Sequence, residues 1–123
     1  MITRLDKVTI YVKSQEEAKE FWIDKVGFTL TLEQQMGPNM TWIEVAPKGK
    51  DLASLVLYSK EAMLQQNPAM VAHPSVMFAA ADIEGAWKAM KATGIEVTEI
   101  QSLPYGKMYN FKDQDGNLYL VRG

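Results

Sequence analysis

The sequence predicts an α+β protein built from two tandem βαβββ modules, and three observations lead there. Short segments alternate apolar and polar residues, as half-buried strands do. Each half opens on such a segment and continues directly into apolar residues at helical spacing. The pattern is also written twice: Val8 precedes Val76 by 68 positions, and Gly27 precedes Gly94 by 67. A register kept to one residue across a strand and a helix points to internal duplication.

In the first module Val8, Ile10 and Val12 alternate with Lys7, Thr9 and Tyr11, which describes a half-buried strand. Ser14 and Glu17 form a capping box. Ala18, Phe21, Trp22 and Val26 then recur at helical spacing, and Gly27 is placed to end the helix. Three strands follow, Phe28–Gln35, Met40–Ala46 and Leu52–Tyr58, with turns at Gly37-Pro38 and Lys48-Gly49-Lys50.

The second module starts with the strand Ser75–Ala81. Asp82 serves as N-cap of a helix whose apolar stripe is Ile83, Ala86, Trp87 and Met90, ended by Gly94. Its strands are Ile95–Gln101, Lys107–Lys112 and Asn117–Arg122, joined by turns at Pro104-Tyr105-Gly106 and Asp113–Asn117. Between the halves, Ser59–Ala72 holds a short helix, Lys60–Gln66, before Pro68. The modules are expected at about 4–58 and 73–123, joined by a linker at 59–72, within one domain spanning 1–123.

A chain of 123 residues suits one compact domain that needs no staples to hold a core. A net charge of −2 gives no reason to expect nucleic acid or an anionic membrane as partner. The absence of cysteine excludes disulfides, thiol catalysis and Cys-based metal sites. Met1 leads into a mixed polar strand with no basic and then apolar leader, so no secretion signal is expected. No apolar run approaches the ~20 residues that span a bilayer. A cytoplasmic protein is the expectation.

Four segments in this order resemble the vicinal oxygen chelate superfamily, the glyoxalase, bleomycin-resistance and extradiol-dioxygenase group. Leu5–Val12 looks like its first strand. Ala18–Phe28 resembles its "A-x-x-F-Y-x-x-x-L-G-F" helix and turn. Phe78–Ala86 resembles the second strand-to-helix junction. Phe111–Asn117 resembles the closing "F-x-D-P-D-G-N" hairpin, with Gln114 where Pro is usual. The resemblance spans essentially the whole chain and implies a curved mixed sheet around a cavity, with helices outside. Val8, Ile10, Val12, Val76, Phe78 and Ala80 would then face the helices. Lys7, Thr9, Tyr11, Ser75, Met77 and Ala79 would face the cavity, because strand side chains alternate.

The resemblance also implies four metal-ligand positions, which enzymes of the family fill with His and Glu. Here they fall on Lys7, Ser54, Ser75 and Leu120. A lysine cation has donors only, a hydroxyl is a weak ligand, and leucine offers no lone pair. No metal or other cofactor is therefore expected.

His73, the only histidine, is either a displaced ligand or general base, or a strand-entry residue before Pro74; the second reading is preferred. Lys7 is either an anchor for an anionic group, or a proton donor if burial depresses its pKa, or else half of an ion pair with Glu44 or a strand-end lysine reaching water. Trp42 and Glu44 share one face of their strand, where the indole can stack on a ligand or simply fill space. Glu44 is a candidate base if desolvated. Tyr105, Lys107 and Tyr109 crowd the last hairpin, and the face of Tyr109 is left open. Asp113, Asp115 and Gly116 read as a hairpin turn rather than a calcium loop. The eight methionines suit an adaptable lining, though most are expected in the core or linker.

The candidate ligand-binding residues are therefore Lys7, Tyr11, Trp42, Glu44, Ser54, His73, Ser75, Tyr109 and Leu120, with no catalytic residue assigned. The first functional reading is a metal-free binder of a small organic molecule, in the sheet cavity or at a homodimer groove. The alternative is an enzyme of lyase, isomerase or dioxygenase type. It would use non-standard metal ligands, or work without metal through Lys7, Glu44 or His73.

Overall fold

The computed structural model describes residues 1–49 and 52–123. Of the turn expected at Lys48-Gly49-Lys50, Lys50 lies outside the described residues. The chain folds as two compact units, Met1–Pro74 and Ser75–Gly123. Each contains one four-stranded mixed sheet with helices, so the fold is α+β as expected.

The first unit runs β1 (Lys7–Val12), α1 (Gln15–Lys19), a π-helical turn (Glu20–Lys25), β2 (Thr29–Gly37), β3 (Met40–Ala46) and β4 (Ser54–Ser59). α2 (Lys60–Gln66) and a 3-10 turn (Pro68–Met70) complete it. The sheet order is β1-β4-β3-β2, with β1 parallel to β4 and the other pairs antiparallel. Ser14 begins α1 as expected, its hydroxyl accepting from the Glu17 backbone N–H at 3.2 Å.

The second half of that helix departs from the expected α geometry. The Val26 N–H reaches back to the Phe21 carbonyl at 3.0 Å, which is π-type spacing. The wider turn lets two neighbours in sequence, Phe21 and Trp22, both turn inward. They are 5% and 0% exposed, with ring centroids 5.2 Å apart. Gly27 ends the helix with φ +90°, a conformation that costs glycine nothing. The core of this unit is Ile10, Val12, Ile43, Val45, Leu55 and Leu57 from the strands, with Ala18, Phe21 and Trp22 from the helix.

Strands β3 and β4 pair at Glu44–Val56 and Val45–Leu55. Toward the other end of β3, the Gln15 side-chain amide donates to the Thr41 carbonyl at 2.8 Å and the Leu57 carbonyl at 2.9 Å. One side chain thus bridges the two strands where their own ladder stops. Gln15→Ala leaves both carbonyls without that donor and is expected to cost about 1–3 kcal/mol. Urea unfolding checks it, and an unchanged midpoint would mean that solvent replaces the amide without loss.

The second unit runs β5 (Met77–Ala79), α3 (Ile83–Ala92), β6 (Gln101–Leu103), β7 (Gly106–Lys112) and β8 (Leu118–Arg122). Its sheet order, β5-β8-β7-β6 with β5 parallel to β8, repeats that of the first. The Asp82 carboxylate accepts from the Gly85 N–H at 3.0 Å and starts α3. Phe111 stacks on Tyr119 at 5.0 Å and on Phe78 at 6.0 Å in the core.

The strand expected at Ile95–Gln101 is not continuous. Val97 makes one bridge to Phe111, and the ladder resumes at Gln101. The Thr98 hydroxyl takes the Asn110 N–H at 2.9 Å, the place a backbone carbonyl would hold. A side chain competing for a ladder donor interrupts the ladder there.

The hairpin turn closes around Asp113. Its carboxylate accepts from the Asp115 and Asn117 N–H groups at 2.9 and 3.0 Å, from Asn117 Nδ2 at 3.1 Å, and from the Tyr119 hydroxyl at 2.6 Å. Among the described residues no helix is long and apolar enough to cross a membrane.

Candidate functional site

Strand alternation gives each sheet a second face, turned away from the buried core. In the first unit that face is set by register. Lys7 lies beside Ser54, Thr9 beside Val56, and Tyr11 beside Tyr58. Val56 in turn lies beside Glu44. On β2, Leu32 lies opposite Glu44 and Gln34 opposite Trp42.

Glu44 is the centre of this face and is only 7% exposed. A buried carboxylate needs partners, and it has two. The Lys7 ammonium lies 3.3 Å from Oε1, and the Trp42 indole N–H donates to Oε2 at 2.8 Å. Lys7 is also 3.3 Å from Asp6, which pairs with Arg4 at 3.0 Å. The carboxylate of Glu44, and after it that of Asp6, holds the Lys7 ammonium above the ordinary lysine range. Of the alternatives for Lys7, the structure shows the ion pair with Glu44, and burial does not depress the lysine pKa, because carboxylate hydrogen bonds outweigh desolvation there. Lys7 stays protonated at neutral pH and is no base.

Beside the charged pair stands an aromatic row. Tyr58 contacts Trp42 edge-on, with centroids 6.0 Å apart and planes at 85°, and contacts Tyr11 at 6.0 Å and 73°. The Tyr58 hydroxyl is fixed by Gln66 Nε2 of α2 at 2.9 Å and lies 3.6 Å from the Met40 sulfur. Tyr58 is 8% exposed, whereas Trp42 and Tyr11 are half-buried. Perpendicular rings of this kind leave faces on which a flat molecule can lie.

The structure thus brings Lys7, Tyr11, Trp42, Glu44 and Ser54 onto one face. Ser75 and Leu120 belong to the second unit, where Leu120 lies in register with Met77 and Asn110. There Ser75, Met77, Asn110, Leu118 and Leu120 line an open hollow of about 400 Å³. His73 is half-buried in the stretch before β5. Tyr109 faces the helix side instead: it is 1% exposed, and its hydroxyl meets the Met90 sulfur of α3 at 3.3 Å. Tyr105 is 74% exposed, and Lys107 pairs with Glu84.

Sequence reasoning missed Tyr58, Gln66 and Asp6. Tyr58 was within reach, since it lies an even number of residues from Ser54 in a strand whose range was expected, and so shares its face. Gln66 was not, because a residue on a connecting helix carries no sign of what it will touch.

The four positions that the resemblance implies for metal ligands do not offer a metal's donor set. Lys7 is protonated and paired, Ser54 and Ser75 offer neutral hydroxyls, and Leu120 offers hydrocarbon. Among the described residues no group of three or more His, Asp or Glu side chains could hold a metal ion.

The glyoxalase/bleomycin resistance protein/dioxygenase superfamily model matches residues 4–120, and the chain belongs to that family. It is 41% identical over 123 residues to the uncharacterized protein YetH of Bacillus subtilis (strain 168), covering 99% of each chain. Among solved structures it is similar to TnmS3, an antibiotic binding protein from Streptomyces sp. CB03234. That match has 30% identity and a TM-score of 0.82, covering 98% of this chain and 95% of the other. A superfamily member from Sphaerobacter thermophilus DSM 20745 shares the fold with a TM-score of 0.83 at 24% identity, over 98% and 97% of the two chains.

Proposed function

We propose that this protein binds a small organic molecule on the open face of its first sheet and does so without a metal ion. One observation carries the reading. At a position where the resemblance implies a metal ligand, Lys7 closes onto the buried Glu44, and the half-buried Trp42 takes the other carboxylate oxygen. A lysine cation offers a metal no lone pair, and the aromatic row beside the pair supplies contact area. The antibiotic-binding relative at 30% identity supports a binding role over catalysis. We further propose a homodimer, as the bleomycin-resistance resemblance implies.

The test has two arms. Metal analysis of protein purified without chelator is expected to find less than stoichiometric divalent metal. A thermal-shift screen with planar organic compounds is expected to find stabilisation that grows with concentration over dissociation constant, as mass action requires. Stoichiometric metal, or no shift from any compound, ends this reading. Sedimentation equilibrium at micromolar concentration reports the dimer, and a monomer there removes that part alone.

A further inference from the structure

We infer that the ligand of this face is uncharged at neutral pH; the inference rests on the proposed binding reading and adds the chemical class. It follows from a census of charge. The strands place Lys7, Thr9, Tyr11, Leu32, Gln34, Trp42, Glu44, Ser54, Val56 and Tyr58 on the face by register. Among these, Lys7 and Glu44 alone are charged, and they neutralise each other at 3.3 Å. The neighbouring charges continue the alternation, Asp6 against Lys7 and Arg4 against Asp6, so four charges sum to zero.

Glu33, the charged residue of β2 nearest the cluster in sequence, pairs instead with Lys19 of α1. Its register partner is the buried core residue Ile43, so it belongs to the opposite face.

A charged ligand would have to break this pairing. An anion reaching for Lys7 competes with Glu44 and Asp6, and drawing the ammonium away removes the cationic partner of a carboxylate that is 7% exposed. A cation reaching for Glu44 competes with Lys7 and with the Trp42 N–H at 2.8 Å. Giving up the existing contacts of such a pair offsets the gain from the new one. A neutral molecule breaks nothing. It can lie against the half-buried rings of Trp42 and Tyr11 and exchange hydrogen bonds with the hydroxyls of Thr9, Tyr11 and Ser54, which share that face. The class is therefore a flat, neutral aromatic compound with a few hydroxyl or carbonyl groups.

Three probes of one shape test this on the intact protein: 2-naphthol, 2-naphthoate and 2-naphthylmethylammonium, each titrated calorimetrically at pH 7.4. The neutral probe is expected to bind about tenfold or more tighter than either ion, a gap of ~1.4 kcal/mol or more. Lys7→Met exposes the Glu44 charge and is expected to shift preference to the ammonium probe. Glu44→Gln frees Lys7 and is expected to shift it to naphthoate, with circular dichroism confirming that both variants fold. Either ion binding the unmodified protein as tightly as naphthol overturns the neutral class and leaves the binding reading standing. If none of the three binds up to millimolar concentration, the face is no aromatic binding surface and both readings fall.

Discussion

Asp113→Ala is expected to lower the unfolding free energy by about 3 kcal/mol, the largest effect of any single polar substitution in the second unit. The carboxylate is 6% exposed and takes four hydrogen bonds from a single turn and the strand after it. Removing it takes away the 2.6 Å acceptor of the Tyr119 hydroxyl, whose ring is buried in the stack with Phe78 and Phe111. The two backbone donors can turn to solvent, so the loss stays below the sum of four bonds. Asp113→Asn keeps one acceptor and is expected to lose roughly half as much. Urea unfolding followed by circular dichroism reads both, and a loss under about 1 kcal/mol for the alanine variant would mean that the turn holds itself.

The same contact gives a pH dependence. Burial first, and then the hydrogen bond to Asp113, push the Tyr119 phenol far above the ordinary tyrosine value of 10.0. The unfolded chain then loses this proton at lower pH than the folded one. Stability is therefore full below about pH 10 and falls as pH rises beyond it. Tyr119→Phe removes that part of the alkaline loss, and absorbance at 295 nm shows one late-titrating phenol fewer.

How much of this was legible follows from what each signal depends on. Period-2 alternation depends on the chain alone, so it placed Lys7, Tyr11, Trp42 and Glu44 on one face before any coordinate was known. Caps are equally local, and Ser14 and Asp82, both read as caps from the sequence, each start a helix by accepting an N–H three residues on. The π-helical turn was hidden because a helical apolar stripe looks the same whether or not one turn is widened. The break at Thr98 was hidden because it takes a hydroxyl meeting a particular strand, and only tertiary structure brings Asn110 there. The sign of the Lys7 shift was hidden for a related reason: burial and pairing push in opposite directions, and distance decides between them. Tyr109 could face either way until β7 was paired with β8, which put it with Val121 in the core.

Trp42→Ala is expected to weaken binding of any compound found on the first sheet by about 10- to 100-fold, the largest effect on function of a single substitution. The indole joins the two halves of the face, holding the Glu44 carboxylate with its N–H and meeting Tyr58 with its ring. Truncation removes both the contact area and the second partner of a buried charge. Trp42→Phe separates these roles, because it keeps a ring and deletes the donor, and a smaller loss of about 3- to 10-fold is expected. Fluorescence gives an independent reading of the same event. Of the three tryptophans, Trp22 is buried in the core, and the Trp87 indole is bound to the Thr98 carbonyl in the second unit. Quenching by a ligand on this face should therefore come from Trp42 and vanish in Trp42→Phe. Quenching that persists there, or affinity that Trp42→Ala leaves intact, would move the binding surface off the first sheet.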